Sequence, residues 1–240
     1  MSEEEKRDYI KKLEITKNII VTQHTSVNPE VSQNIFGQIV CLFNYNQLPQ
    51  IVSDEEFEKI QSKKYYRGAK AFAYTATLLT GKKYHYGSGL INGIFASDNY
   101  ATAYNYTRDI SYRTNADKIL NFKITPKIGI TYKKLNSLFC HIYENTPEEI
   151  SPEIKEKVDI IKEFHETLPQ KEQKKVYNCF LRDMSKLAVI LGYDFVLDEW
   201  LDGNINNISI LNRSIINTTQ SEVDKFLSHT ESWYKDPNME

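Results

Sequence analysis

The chain has 240 residues, 30 Lys+Arg against 32 Asp+Glu and a net charge of −2, which fits one large domain or one domain with an appendage. Its 40% hydrophobic and 26% charged residues are globular values that exclude a wholly disordered chain. The balance of signs removes the main electrostatic argument for nucleic acid or an anionic membrane.

In chain order, residues 2–12 read as a charged helix and Leu13 to Gln23 as partly extended. Asn28-Pro29 opens a second helix, with asparagine as cap and proline at the first helical position. Ile35, Phe36, Ile39, Val40, Leu42 and Phe43 then recur at helical spacing through Tyr45. Leu48-Pro49 breaks it, and Ser53-Asp-Glu-Glu56 is a capping box for a short helix through Gln61. Residues 1–62 are thus expected to form a helical N-terminal lobe, and residues 63–240 an α+β domain that is either separate or continuous with it.

Lys64-Tyr-Tyr-Arg67-Gly68 reads as a strand ending at a turn, and Ile94-Phe95-Ala96-Ser97 as another. Asp98 or Asn99 caps a helix carrying Ala101, Ala103, Tyr104 and Tyr106. Ile119–Ile124 alternates like a strand, and Ile128 to Tyr132 reads as one more. Residues 152–167 and 170–191 have helical periodicity, the second closed by Gly192. Phe195–Leu197 and Ile208–Leu211 read as strands joined across Asp202-Gly203. Thr219-Gln-Ser-Glu222 reads as a capping box for a last helix to about Trp233. This mixture lacks strict βαβ alternation and predicts an α+β fold.

Three cysteines, Cys41, Cys140 and Cys179, lie far apart, and five histidines show no His-x-x-x-His pair, so no disulfide scaffold or metal centre is expected. No apolar run approaches a membrane span and no secretory signal is visible, so a cytoplasmic location without membrane contact is expected, in its own cell or in a host cell to which it is delivered.

Glycine carries the most local information. The chain has nine glycines, and five of them, Gly68, Gly81, Gly87, Gly89 and Gly93, fall within 26 residues. Glycine is placed where the backbone needs positive φ or where another group comes close. Arg67 at a strand end, before Gly68, presents a planar five-donor fork suited to phosphate or carboxylate; read alone, it is a surface arginine beside a turn. The block Tyr84-His85-Tyr86-Gly87-Ser88-Gly89 through Gly93 has neither the dinucleotide Gly-x-Gly-x-x-Gly spacing nor a Gly-Lys-Ser/Thr, which excludes a P-loop. What remains is a tyrosine-flanked glycine turn that either receives a flat ligand or is a plain hairpin. The third segment, Leu191-Gly-Tyr-Asp194-Phe through Leu211-Asn212-Arg213, reads as architecture when taken alone.

In this order, the three segments resemble the ADP-ribosyltransferase fold family, in particular its phage-type and bacterial mono-ADP-ribosyltransferase members. The likeness covers roughly residues 48–217, from Leu48-Pro49-Gln50-Ile-Val-Ser-Asp onward. The resemblance implies split antiparallel β-sheets around a cleft for NAD, which would serve as substrate, with a protein or other macromolecule as acceptor. It implies that Arg67 holds the NAD phosphates or ribose, that Gly68, Gly87, Ser88 and Gly89 let the dinucleotide lie against the backbone beside His85, and that Ser97 buttresses the site. Phe95 or Tyr104 would stack near the nicotinamide. The chain departs from the family where many members carry a glutamate just before the last strand. Asn204-Ile-Asn206-Asn207-Ile208 stands there instead, and no carboxylate lies between Asp202 and Glu222. Asn207, Glu199, Asp202 and an inward-folded Asp198 are the substitutes. A weak transferase, an enzyme with a shifted carboxylate and a non-catalytic NAD or ADP-ribose binder all fit that pattern.

Overall fold

The computed structural model describes residues 1–23, 29–81, 92–108, 113–125, 127–198 and 207–230. Ser2 opens the first helix, α1 (Glu3–Thr22), through a reciprocal capping box with Glu5, and Glu3, Glu4 and Glu5 place negative charge at its N-terminus. Its stripe of Tyr9, Leu13, Thr16 and Ile20 is buried. That stripe corrects the expectation that Leu13 to Gln23 is partly extended, because burial of the same face carries the helix through to Thr22. Helix α2 (Pro29–Leu42) buries Ile35, Phe36, Ile39 and Val40.

The chain then alternates short elements: β1 (Gln50–Val52), α3 (Asp54–Lys59), β2 (Lys64–Gly68), α4 (Phe72–Thr80), β3 (Ile94–Ser97) and α5 (Tyr100–Asn105). The Ser53–Glu56 capping box of α3 forms as read from sequence. Asn99 caps α5 by accepting from the amides of Ala101 and Thr102. Strands β4 (Ile119–Ile124) and β5 (Gly129–Thr131) lead into four helices, α6 (Tyr132–Glu144), α7 (Pro152–Thr167), α8 (Gln170–Arg182) and α9 (Ser185–Leu191). The helix expected over 170–191 is therefore two, broken at Asp183, whose carboxylate accepts the Ser185 amide and opens α9. Gly192, at φ +97°, ends α9 in the left-handed region. Strands β6 (Phe195–Asp198), β7 (Asn207–Ile210) and β8 (Ile216–Thr219) precede the last described helix, α10 (Gln220–Thr230). Thr219 belongs to β8 and Glu222 binds Asn121, accepting from its amide and side chain, so the expected Thr219–Glu222 box gives way to a tertiary contact.

The described strands form one eight-stranded sheet in the order β1-β8-β4-β2-β3-β7-β6-β5. Its interior pairs are antiparallel, and both edge pairs, β1–β8 and β5–β6, are parallel. The fold is mixed α+β with one open sheet, where the resemblance implies two antiparallel ones. A parallel neighbour needs a long crossover, and helices α6 to α9 supply it between β5 and β6. Those helices share one core with α1, α2, Ile130 and Val196. A second core lies between one sheet face (Ile94, Leu120, Phe122, Ile208 and Ile210) and helices α4 and α10, through Leu78, Leu79, Val223 and Phe226. Among the described residues no helix is long and apolar enough to cross a membrane.

Candidate functional site

Three segments that are distant in sequence become hydrogen-bonded neighbours at the centre of the sheet, because β3 inserts between β2 and β7. Tyr66 pairs with Ser97, Ser97 with Asn207, and Asn207 with Asp198. On its other side Tyr66 pairs with Asn121. Directly opposed residues share a sheet face, so β4, β2, β3, β7 and β6 together set a polar row: Asn121, Tyr66, Ser97, Asn207 and the register position of Asp198. Ser97 is buried, and its Oγ accepts from the Asn99 amide at 3.1 Å, tying the row to the cap of α5. Phe95, two residues earlier on that face, is exposed and pairs with Ser209.

Tyr66–Ser97 is the one register pair between β2 and β3. Beyond it, Arg67 Nη1 donates to the Phe95 carbonyl at 3.0 Å. The half-buried guanidinium thus lies on the main chain of β3, and fixing one nitrogen there sets the plane of its fork. Gly68 is taken up differently from the expectation. A Cβ at this position would sit 1.8 Å from the Ala103 carbonyl oxygen, so the close approach this glycine permits is made by α5 rather than by a ligand. Tyr66 meets Tyr100 edge-on at 5.4 Å between ring centroids, and Tyr100 stacks on the half-buried Tyr104 at 6.3 Å. Lys63 Nζ pairs with Asp98 at 3.0 Å, and this hydrogen-bonded carboxylate raises the lysine pKa.

The opposite end of the same strands is built otherwise. Asn92, just before β3, donates from its amide and side chain to Asp183, which also binds Lys186 Nζ at 2.6 Å; all three residues are buried. The Asp194 carboxylate accepts from the Asn212 side chain at 2.6 Å and from the Ile128 amide. Arg213, 1% exposed, donates to the carbonyls of Asn46, Gln47, Leu78 and Gly81. The Leu-Gly-Tyr-Asp and Leu-Asn-Arg segment is therefore architecture, as its residues read in isolation indicate. Sequence reasoning missed Asp183, Lys186 and Asn121, although a charge at the break between two apolar helical stripes is a signal for the first two.

His85, Gly87, Ser88, Gly89, Glu199 and Asp202 lie outside the described residues. No group of three His, Cys, Asp or Glu that could hold a metal occurs among the described residues. Two cavities lie in the helical body, one between α1, α7 and α8 and one beside Gly192, and neither is lined by Arg67 or Ser97. Comparison with models of known protein families, with curated proteins and with solved structures finds no match.

Proposed function

We propose that the chain is a NAD-dependent mono-ADP-ribosyltransferase whose site is the polar row and the Arg67 edge of β2. The observation that carries this reading is the placement of β2, β3 and β7 side by side, with the Arg67 guanidinium on the Phe95 carbonyl. The segments that resemble the family's arginine, serine and late-strand segments are thereby neighbouring strands, with Arg67, the register partner of Leu120, on the sheet face opposite Tyr66, Ser97 and Asn207 and reaching β3 through its main chain. Arg67 holds a phosphate of NAD through charge-assisted hydrogen bonds, and Ser97 supports the ribose side of the row. The bond between nicotinamide nitrogen and ribose C1′ breaks with its electrons leaving on nicotinamide. The acceptor nucleophile then bonds C1′ and loses its proton. Positive charge develops on the ribose, so a fixed negative group is worth more in the transition state than in the ground state. Asp198, the register partner of Asn207, is the carboxylate we assign to this charge.

The test is transfer from labelled NAD to acceptors in a cell lysate, together with nicotinamide release. The wild type labels an acceptor; Arg67→Ala abolishes labelling, and Asp198→Asn slows it by about 100-fold or more. No release and no labelling by the wild type overturns the reading. A second reading, a non-catalytic NAD or ADP-ribose binder, is favoured by one observation: an asparagine, Asn207, stands beside Ser97. An asparagine hydrogen-bonds a ribose hydroxyl without bringing charge. Calorimetric binding of NAD without nicotinamide release identifies that case.

A further inference from the structure

Although the whole chain is slightly acidic, its charge and its tyrosines are unevenly placed. Residues 63–118 contain nine Lys+Arg, three Asp and no Glu, and nine of the chain's 16 tyrosines. Within it, residues 63–70 carry Lys63, Lys64, Arg67 and Lys70 and no acid. The fold gathers part of this window on one surface. Lys64 and Tyr66 share a face of β2, and Tyr66 touches Tyr100 of α5, which stacks on Tyr104. Tyr100 is 45% and Tyr106 63% exposed, and exposed Arg108 follows at the end of α5. Lys63, held by Asp98, borders the same helix.

A line of aromatic rings among cations matches the two demands of a single-stranded nucleic acid. Its phosphates need lysine and arginine, and its unpaired bases need π-faces to stack on. A duplex buries its bases, and an acidic peptide would use the cations but leave the tyrosine faces idle. We infer that the β2–α5 surface binds single-stranded nucleic acid and presents it to the polar row as the acceptor. Its role as acceptor rests on the transferase reading above; the binding itself does not.

The experiment is fluorescence anisotropy of labelled oligothymidine and oligouridine of about 20 nucleotides, titrated with the full chain at several salt concentrations. The expected dissociation constant at low salt is on the order of 10 µM or tighter, weakening steadily with salt. Tyr100→Ala and Tyr106→Ala each weaken binding by about tenfold. Lys64→Glu weakens it and flattens the salt dependence. Tyr106 and Lys64 are exposed, so their variants keep the fold if Tyr100→Ala does not. Anisotropy that stays flat at low salt, or binding indifferent to Tyr106→Ala and Lys64→Glu, overturns the inference; transfer to a protein with no oligonucleotide binding does the same and leaves the transferase reading standing. Asp198→Asn separates the two claims, because it is expected to slow transfer by about 100-fold while oligonucleotide binding persists. Binding with no transfer by the wild type sinks the transferase reading and keeps the nucleic-acid surface.

Discussion

Strands β3, β7 and β6 end in opposite ways. At the Ile94–Ile210–Phe195 end, polar side chains are tied into the protein: Asn92 to Asp183, Asn212 to Asp194, and Arg213 to four carbonyls. At the Ser97–Asn207–Asp198 end, the polar residues form a row bordered by exposed Phe95 and the tyrosines of α5. The contrast is sharpest between two arginines. Arg213 is sealed in and donates to four main-chain oxygens, whereas half-buried Arg67 donates from Nη1 to the Phe95 carbonyl of β3. The same residue type therefore serves architecture at one end and the proposed chemistry at the other. Burial and the nature of the acceptors, not the motif, tell them apart.

That contrast is broken or sharpened most strongly by removing each arginine in turn. Arg213→Ala leaves four carbonyls without their donor and should lower unfolding stability by about 4 kcal/mol in urea titration. Arg67→Ala should cost no more than about 1 kcal/mol; equal losses would mean that both arginines are structural. Next in size is Gly68→Ala. The new methyl meets the Ala103 carbonyl, which belongs to helix backbone and cannot swing aside. The expected loss is about 2–3 kcal/mol, with α5 displaced. An unchanged melting temperature would show that α5 is not seated on β2 as described.

The smallest effect is a pH dependence at the tied end. Burial pushes the Tyr193 phenol up to about 12, from 10. Above pH 10 the unfolded chain gives up this proton while the folded one keeps it, so stability falls as pH rises from 10 towards 12. Tyr193→Phe should reduce that loss by about 1 kcal/mol, read from urea midpoints across the range. The same slope in both proteins would remove Tyr193 from the account.

Much of the frame was legible in the sequence where a local rule operates. Ser53 and Asn99 cap helices, Gly192 ends one, and the apolar alternation of 119–124 marks β4. Strands β1 and β8 were missed because Ile51 is exposed and Asn217-Thr-Thr219 looks like a loop; each is a strand only because the other pairs with it. Helix α6 was missed despite Leu135, Leu138, Phe139 and Ile142 at helical spacing, all buried. At the candidate site, residue types were readable but their company was not. Placing β3 between β2 and β7 is a non-local pairing that no window of sequence contains, so the Tyr66–Ser97–Asn207–Asp198 row emerges only in the fold. Arginine reads as surface by default, which hid the buried role of Arg213.

The most direct test of the central claim is calorimetric titration of NAD into the wild type and Arg67→Ala, with melting curves recorded for both. The account predicts saturable binding by the wild type and affinity weakened by about tenfold or more in the variant, at nearly equal thermal stability. Absence of binding, or equal affinity in the two proteins, would contradict it.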